Sequence, residues 1–338
     1  MSEIAEKKPN HYAPYKSQVA ALLKQYLTTE ELREFHKLSP ARHLLVVGRH
    51  VLMTVLLAIG LWKFSQPWIW IPLAFLQGFQ LLGFIILLHE HVHDAIFDRP
   101  HPRIMRMLGL FYAFPSAISA TQFERWHLDH HAELGNSKTD PKRAYLTPKI
   151  VARWYKLLYM TPALFIIYSI AAAKEARSYP GWMQRRIQLE RFTNIALHLT
   201  ILTLLWKFAG PAIAFRVHIA PLFLFFPIAF TLNRLGQHYD IDPSDPAKWS
   251  TLVNPSPGWN FLMLWSNLHL EHHYYPRVPF YKLVALNRRL QPFYRDRGVQ
   301  PRNYRTILFE WFVKNRVPHT NWFEGPEQTA GPGRTRTA

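Results

Sequence analysis

The sequence predicts an all-α integral membrane protein, with four transmembrane helices in two hairpins and a histidine-rich helical cap. Three observations lead there. Four stretches are apolar over about the length a helix needs to cross a bilayer core, roughly 20 residues. Aromatic residues make up 15% of the chain, and Trp and Tyr favour membrane interfaces because one end of the ring is apolar and the other wants water. Mean hydropathy is still only −0.11, so much of the chain must be polar and stand outside the bilayer.

The first hairpin joins residues 44–62 to 69–88 through "KFSQPW", a short turn holding Pro67. Arg49 lies one to two turns inside the first span, from where its long stem can snorkel to the nearer surface. The second hairpin joins 194–209 to about 219–236, with Gly210, Pro211, Arg216 and His218 in the connection. Residues 104–119 are short and contain Arg106, and 154–173 are interrupted by Pro162. If neither spans, every histidine cluster falls on one side of the membrane. The basic stretches 32–50 and 174–191 fall there too, and the positive-inside rule makes that side cytosolic. We therefore expect four spans, with 104–119 and 154–173 in the interface or re-entrant.

Residues 1–40 read as a cytosolic tail and lead-in helix, 41–290 as the membrane and histidine domain, and 291–338 as a C-terminal cytosolic extension. The stretches 1–17 and 324–338 carry charge, Gly, Pro and Thr with no apolar run, so both are expected to be disordered and no signal peptide is expected. The chain has no cysteine, which excludes disulfides, thiolate zinc sites and iron–sulfur ligation.

Three of the 18 histidines stand in "HLEHH", as His269, His272 and His273. Two more clusters share this character. "HEHVH" holds His89 and His93, four apart, and "HLDHH" holds His127, His130 and His131. On a helix, residues three and four apart share a face, so each cluster aims two or three imidazoles at one point. His91 faces away from that point. His238 follows directly on the fourth span. Neutral imidazole is the commonest ligand for transition metals, and these nine exceed the needs of one ion. Two metals with four or five ligands each would use them. Glu90, Asp94, Asp129, Asp240 and Glu271 stand beside them, suited to accept the second N–H of a ligating ring. The isolated His11, His36, His43, His50, His101, His198, His218 and His319 read as structural.

The three boxes, in this order and between two hairpins, resemble the membrane fatty acid desaturase family. "NLHLEHHYYPRVPFYKL" is similar to that family's third box with its flanks, and "ERWHLDHHAELGNSKTDP" to its second box followed by Asp-Pro. The similarity runs from about residue 45 to 290. It implies a mushroom-like protein, whose four-span stalk carries a cytosolic cap holding two irons. It implies His89, His93, His127, His130, His131, His238, His269, His272 and His273 as ligands, with His238 matched less closely. It also implies dioxygen as co-substrate, hydrogen removal from a C–H bond of a fatty acid or acyl lipid, and an external ferredoxin, rubredoxin or cytochrome b5 type donor. Phe84, Phe226 and Phe230 are candidates for lining an acyl channel, or for facing lipid.

The leading expectation is an oxygen-dependent di-iron acyl desaturase. The same scaffold supports hydroxylation, carotenoid ketolation and decarboxylation to a terminal alkene, which diverge after a shared hydrogen abstraction. A metal transporter would want polar groups at mid-membrane, whereas these histidines stand at the ends of spans and beyond. The formal charge of +18 suits an acidic electron donor and anionic lipid headgroups. The basic residues form no nucleic-acid reading motif, so no nucleic acid is expected as partner.

Overall fold

The computed structural model describes residues 10–320. The expectations for 1–9 and 321–338 lie outside them. Where the expected N-terminal tail overlaps the described residues, it is helical instead. Helix α1 (Ala13–Leu23) starts directly after Tyr12, whose N–H donates to Ala132 O at 2.9 Å. The rings of Tyr12 and Tyr15 pack on Trp249, 5.9 and 4.9 Å away, and that burial anchors a stretch whose composition alone reads as loose.

Helix α2 (Thr29–His36) starts in a capping box, with Thr28 and Glu31 each satisfying the other's backbone N–H. Helix α3 (Pro40–Lys63) begins at Ser39, whose hydroxyl accepts from Arg42 N–H, and at Pro40, which needs no partner for a missing N–H. Helix α4 (Pro67–Val92) returns across a three-residue link. Helices α5 (Pro102–Ala113), α6 (Ala120–Glu133), α7 (Arg153–Leu158) and α8 (Ala163–Ala176) fill the connection to the second hairpin. That hairpin is α9 (Gly181–Ala209), then α10 (Pro211–Ala214) leading through a π-helical stretch, Phe215–Phe225, into α11 (Phe226–His238). Short helices follow: α12 (Pro257–Leu262), α13 (His269–Tyr274), α14 (Leu283–Arg289), α15 (Gln291–Asp296) and α16 (Tyr304–Leu308). Among the described residues the β pairing is one isolated bridge, Val253 with Arg302.

Four helical stretches are long and apolar enough to cross a membrane: Pro40–Lys63, Pro67–Val92, Gly181–Ala209 and Pro211–His238. They are the four expected spans, extended at their ends. At 1.5 Å per residue, the 26 residues of α4 reach about 39 Å. That overshoots a hydrocarbon core of about 30 Å, so the last turn carries its histidines clear of the lipid. Helices α5 and α8, with 12 and 14 residues, reach only about 18 and 21 Å and are too short to span. Each hairpin thus returns the chain to the end it left, and all three histidine boxes gather at that end.

Helix α4 is the axis of the molecule. Two thirds of its apolar window (67%) is buried within the protein, against none of that of α9. The outward residues of α9, such as Phe192 and Phe208, more than 70% exposed, suit lipid rather than water. Gly78 lets α4 touch the π-helical stretch backbone to backbone: a Cβ there would stand 2.7 Å from the Phe225 carbonyl carbon. Small residues permit such close approach where lipid offers no hydrophobic drive to helix pairing. The Arg49 guanidinium lies over the Phe261 ring, 4.9 Å from the centroid, a cation–π contact that keeps it within the fold. One hydrophobic core runs from Val19 to Trp311 and joins α1 and α16 to the helices of the bundle.

Candidate metal centre

The structure brings all nine predicted histidines together, in two groups. His89, His93, His127, His131 and His272 form one, and His130, His238, His269 and His273 the other; within each, the ligand atoms lie within 4.8 Å of one another. The spacing of the boxes explains this. His89 comes from the last turn of α4 and His93 from its C-cap, while α6 offers His127, His130 and His131. Helix α13 consists almost wholly of the third box, and His238 ends α11. His130 and His131 diverge into different groups, as do His272 and His273, because adjacent residues on a helix point about 100° apart. The groups adjoin, with the rings of His131 and His273 stacked at 4.4 Å.

Imidazole nitrogens face each other at short range. His93 and His127 Nε2 are 2.8 Å apart, His127 and His131 3.0 Å, and His131 and His272 3.1 Å. In the second group His130 and His238 Nε2 are 3.1 Å apart, His238 and His273 3.2 Å, and His269 and His273 3.1 Å. The tautomers of two rings follow from their other neighbours. His130 Nδ1–H donates to both Asp140 oxygens at 2.9 and 3.0 Å, and His238 Nδ1–H donates to the Trp249 carbonyl at 2.9 Å. Their Nε2 atoms therefore meet lone pair to lone pair. A shared cation removes that repulsion. With metal–nitrogen bonds of about 2.1 Å, donors at right angles around one ion stand about 3.0 Å apart, which is the spacing found. His89 Nε2, buried and without a hydrogen-bond partner, is a further donor aimed inward.

The rings are held neutral, as metal ligation requires. Burial, reinforced by neighbouring imidazoles or Lys142, holds His127, His130, His131, His269, His272 and His273 well below the ordinary imidazole range. Burial brings His93 down to about 3.

Of the five acids expected beside the ligands, one touches a ligand ring. Glu90 Oε1 lies 3.5 Å from His89 Nδ1, and its other oxygen accepts from Phe280 N–H. Asp94 is exposed at a turn with φ 50°. Asp129 pairs with Arg125 at 2.9 Å, and Asp240 with Arg302 at 3.0 Å. Glu271 turns from the rings to Asn287 Nδ2 and Tyr294 OH, each 2.6 Å away. Asp94, Asp129 and Glu271 directly follow or precede a ligand and Asp240 stands two residues after one, offsets that do not share a helix face with it. Glu271 thus ties α13 to α14 and α15. Changing Glu271 to Gln keeps an acceptor oxygen, so metal content should stay unchanged. Stability should fall by about 1 kcal/mol, read as a small drop in Tm; loss of metal would restore Glu271 to the metal site.

Other residues take the supporting roles. Asp140, from "TDP", holds His130, and also accepts the backbone N–H of Lys142 at 3.0 Å. Burial raises its carboxyl to about 6, still ionised at neutral pH. Lys142 Nζ lies 3.0 Å from His127 Nδ1. Glu190 on α9 accepts from Ser119, Thr121 and Arg106, which fixes the N-terminus of the box-bearing α6. The Asp-Pro pair after the second box was a signal for Asp140; a carbonyl partner such as Trp249 leaves none. The isolated histidines behave as structural: His43 meets Tyr112 OH at 3.1 Å and His50 the Gln80 carbonyl at 2.8 Å. His91 faces away, with Nε2 2.6 Å from Met105 O.

A cavity of about 220 Å³ opens against the first group. His89 and His127 line one end, and Leu82, Ile86, Phe165, Ile195, Phe226 and Phe230 line the apolar remainder. Phe226 and Phe230 thus stand where an acyl channel was expected. Phe84 does not: its ring packs edge-on against His50 at 4.8 Å.

A sequence model of the family described as "Fatty acid desaturase" matches residues 23–305. The chain is 23% identical over 244 residues to the sphingolipid delta(4)-desaturase/C4-monooxygenase of Homo sapiens, covering 69% of this chain and 68% of that one. It is 25% identical over 263 residues to the acyl-lipid 8-desaturase of Rebecca salina, covering 66% and 60%. It is 24% identical over 261 residues to the chloroplastic omega-6 fatty acid desaturase of Glycine max, covering 69% and 59%. With four membrane-crossing helices, clustered histidines and a family match across most of its length, this chain belongs to the fatty acid desaturase family and is an integral membrane oxidoreductase acting on lipids with dioxygen.

Proposed function

We propose that the chain is a di-iron acyl desaturase that introduces a C=C bond into a fatty acyl chain. One observation carries this reading: an apolar cavity ends against the first of two adjoining groups of imidazole nitrogens. One iron would be held by His89, His93, His127, His131 and His272, and the other by His130, His238, His269 and His273. Nitrogen donors without thiolate suit iron, and the family relationship favours it over zinc or copper. When bound, the iron pair would supply the activation of dioxygen that an unactivated C–H bond requires.

The chain's own residues do the rest. Asp140 and the Trp249 carbonyl fix the rings of His130 and His238 and keep each proton on Nδ1. The cavity wall from Leu82 to Phe230 takes up the acyl chain, excludes water and holds the chain beside His89 and His127. The overall change removes two hydrogens from adjacent carbons. With two electrons and two protons from outside, dioxygen becomes two waters. The electrons would come from a separate ferredoxin, rubredoxin or cytochrome b5 type protein, and the net positive charge supports docking of an acidic donor. We place the termini and the metal site in the cytosol, since the basic stretches 32–50 and 174–191 share that end.

The test is a lipid profile of cells expressing the chain, paired with iron analysis of the purified protein. Two irons per chain and new, oxygen-dependent double bonds are expected. Hydroxylated, keto or one-carbon-shorter alkene products would transfer the reading to a related oxidation. A protein that binds zinc and consumes no oxygen would overturn it.

A further inference from the structure

Three basic side chains line the cavity, Lys142, Arg191 and Arg234, and Arg234 and Lys142 stand nearest the metal-facing rings, Arg234 one turn before His238 and Lys142 against His127. Neither has a carboxylate within ion-pair distance among the described residues. Arg234 gives one N–H to Thr147 Oγ1 at 3.0 Å, and Lys142 Nζ contacts His127 Nδ1. The nearby carboxylate of Asp140 acts on both only from beyond ion-pair distance, while its oxygens accept from His130 and from the backbone N–H groups of Lys142 and Arg143. Both side chains lie deep in the fold yet keep some accessible surface, because they face the cavity. The polar neighbours Asn233, Gln237 and Ser266 bond to one another, at 2.6 and 2.9 Å, and offset no charge. The histidines are neutral. A buried guanidinium without a direct ion pair is costly, and its fork matches a carboxylate with two parallel hydrogen bonds.

We propose, building on the functional reading above, that Arg234 with Lys142 binds the carboxylate of a free fatty acid, so that oxidation falls near its carboxyl end. The direction follows from the helices. On α11 the lining runs from Phe226 through Phe230 to Arg234, and on α4 from Leu82 to His89. Arg234 and the metal-facing rings therefore share one depth, and the apolar wall lies one to two turns further toward mid-membrane. A carboxylate on Arg234 leaves the tail along that wall and its first carbons beside His89 and His127. Space beyond the cations favours a carboxylate over a bulkier head. The void past Lys142 and Arg234, bounded by Asp140, Thr147 and Thr320, is about 10 Å³, room for roughly one water. On that side of the cavity a thioester's coenzyme or a glycerophosphate finds no room.

The test uses the full-length protein in nanodiscs, stripped of metal, with palmitate and hexadecanol as probes of equal length. A charge-assisted hydrogen bond is worth about 1.5–3 kcal/mol, so wild type should bind palmitate at least about tenfold more tightly. Arg234→Gln should lower palmitate binding to the hexadecanol level and leave hexadecanol unchanged, while Arg234→Lys keeps part of the preference. A wild type with no preference, or an Arg234→Gln form that retains it, overturns the proposal. Should Arg234→Gln lose hexadecanol as well, Lys142→Met decides in its place, and an undiminished preference there overturns it. In the iron-loaded protein, oxidation mapped by mass spectrometry should lie near the carboxyl, and mid-chain oxidation would overturn that part. An acid preference with no oxidised product would remove the desaturase reading and leave the anion site standing.

Discussion

On the proposed di-iron reading, replacing His130 by alanine should abolish lipid oxidation and lower bound iron from the expected two per chain to about one, with the protein still in the membrane. His130 belongs to the four-nitrogen group, and its Nε2 lies 3.1 Å from that of His238. Three donors would remain there, and the carboxylate of Asp140 would lose the ring it holds. The five-nitrogen group contains no atom of His130, so its iron should stay. The spans owe nothing to this side chain, since it sits on α6, outside the four span-length helices. Membrane extraction and a melting curve check the fold, metal analysis counts the iron, and a lipid profile reads activity. Retained turnover would remove His130 from the site. Loss of both irons would show that the two groups fill as one unit.

Much of this fold was legible because its signals are long. Four apolar runs of near-span length leave few alternatives, and the short connection after Lys63 fixes the first hairpin. Helices α5 and α8 needed a topological argument, because apolar runs containing Arg106 or Pro162 fit a buried, interfacial or spanning helix alike. The N-terminal stretch misled. Its composition is that of a tail, while its order comes from Tyr12 and Tyr15 against Trp249, a partner more than 200 residues away. The same division holds at the metal centre. Ring direction within a box follows from helical period, so the gathering of His127, His130 and His131 was foreseeable. Which rings join which group depends on how α4, α6, α11 and α13 cross, and no spacing encodes that. The acids show the limit most clearly. Adjacency in sequence suggested Asp129, Asp240 and Glu271 as ring partners, yet their side chains found Arg125, Arg302 and Tyr294 instead.

Asp140 is where that limit has a functional consequence. Its carboxylate takes the Nδ1 proton of His130 with both oxygens, which leaves the Nε2 lone pair free toward the second group. Such an outer partner fixes the tautomer and raises ligand basicity, and its removal costs about 10–100-fold in metal affinity. Asp140→Asn should therefore weaken iron binding by about that factor, with activity falling in proportion at limiting iron. Asn keeps one acceptor oxygen for the backbone N–H groups of Lys142 and Arg143, so the turn after α6 should hold and the melting temperature should move little. Its amide also offers an N–H that can face His130 Nδ1, which would push that ring toward the wrong tautomer. An iron titration of the stripped protein distinguishes the roles. Weakened binding at an unchanged melting temperature assigns Asp140 to the metal, and a lowered melting temperature with iron affinity intact reduces it to a turn former.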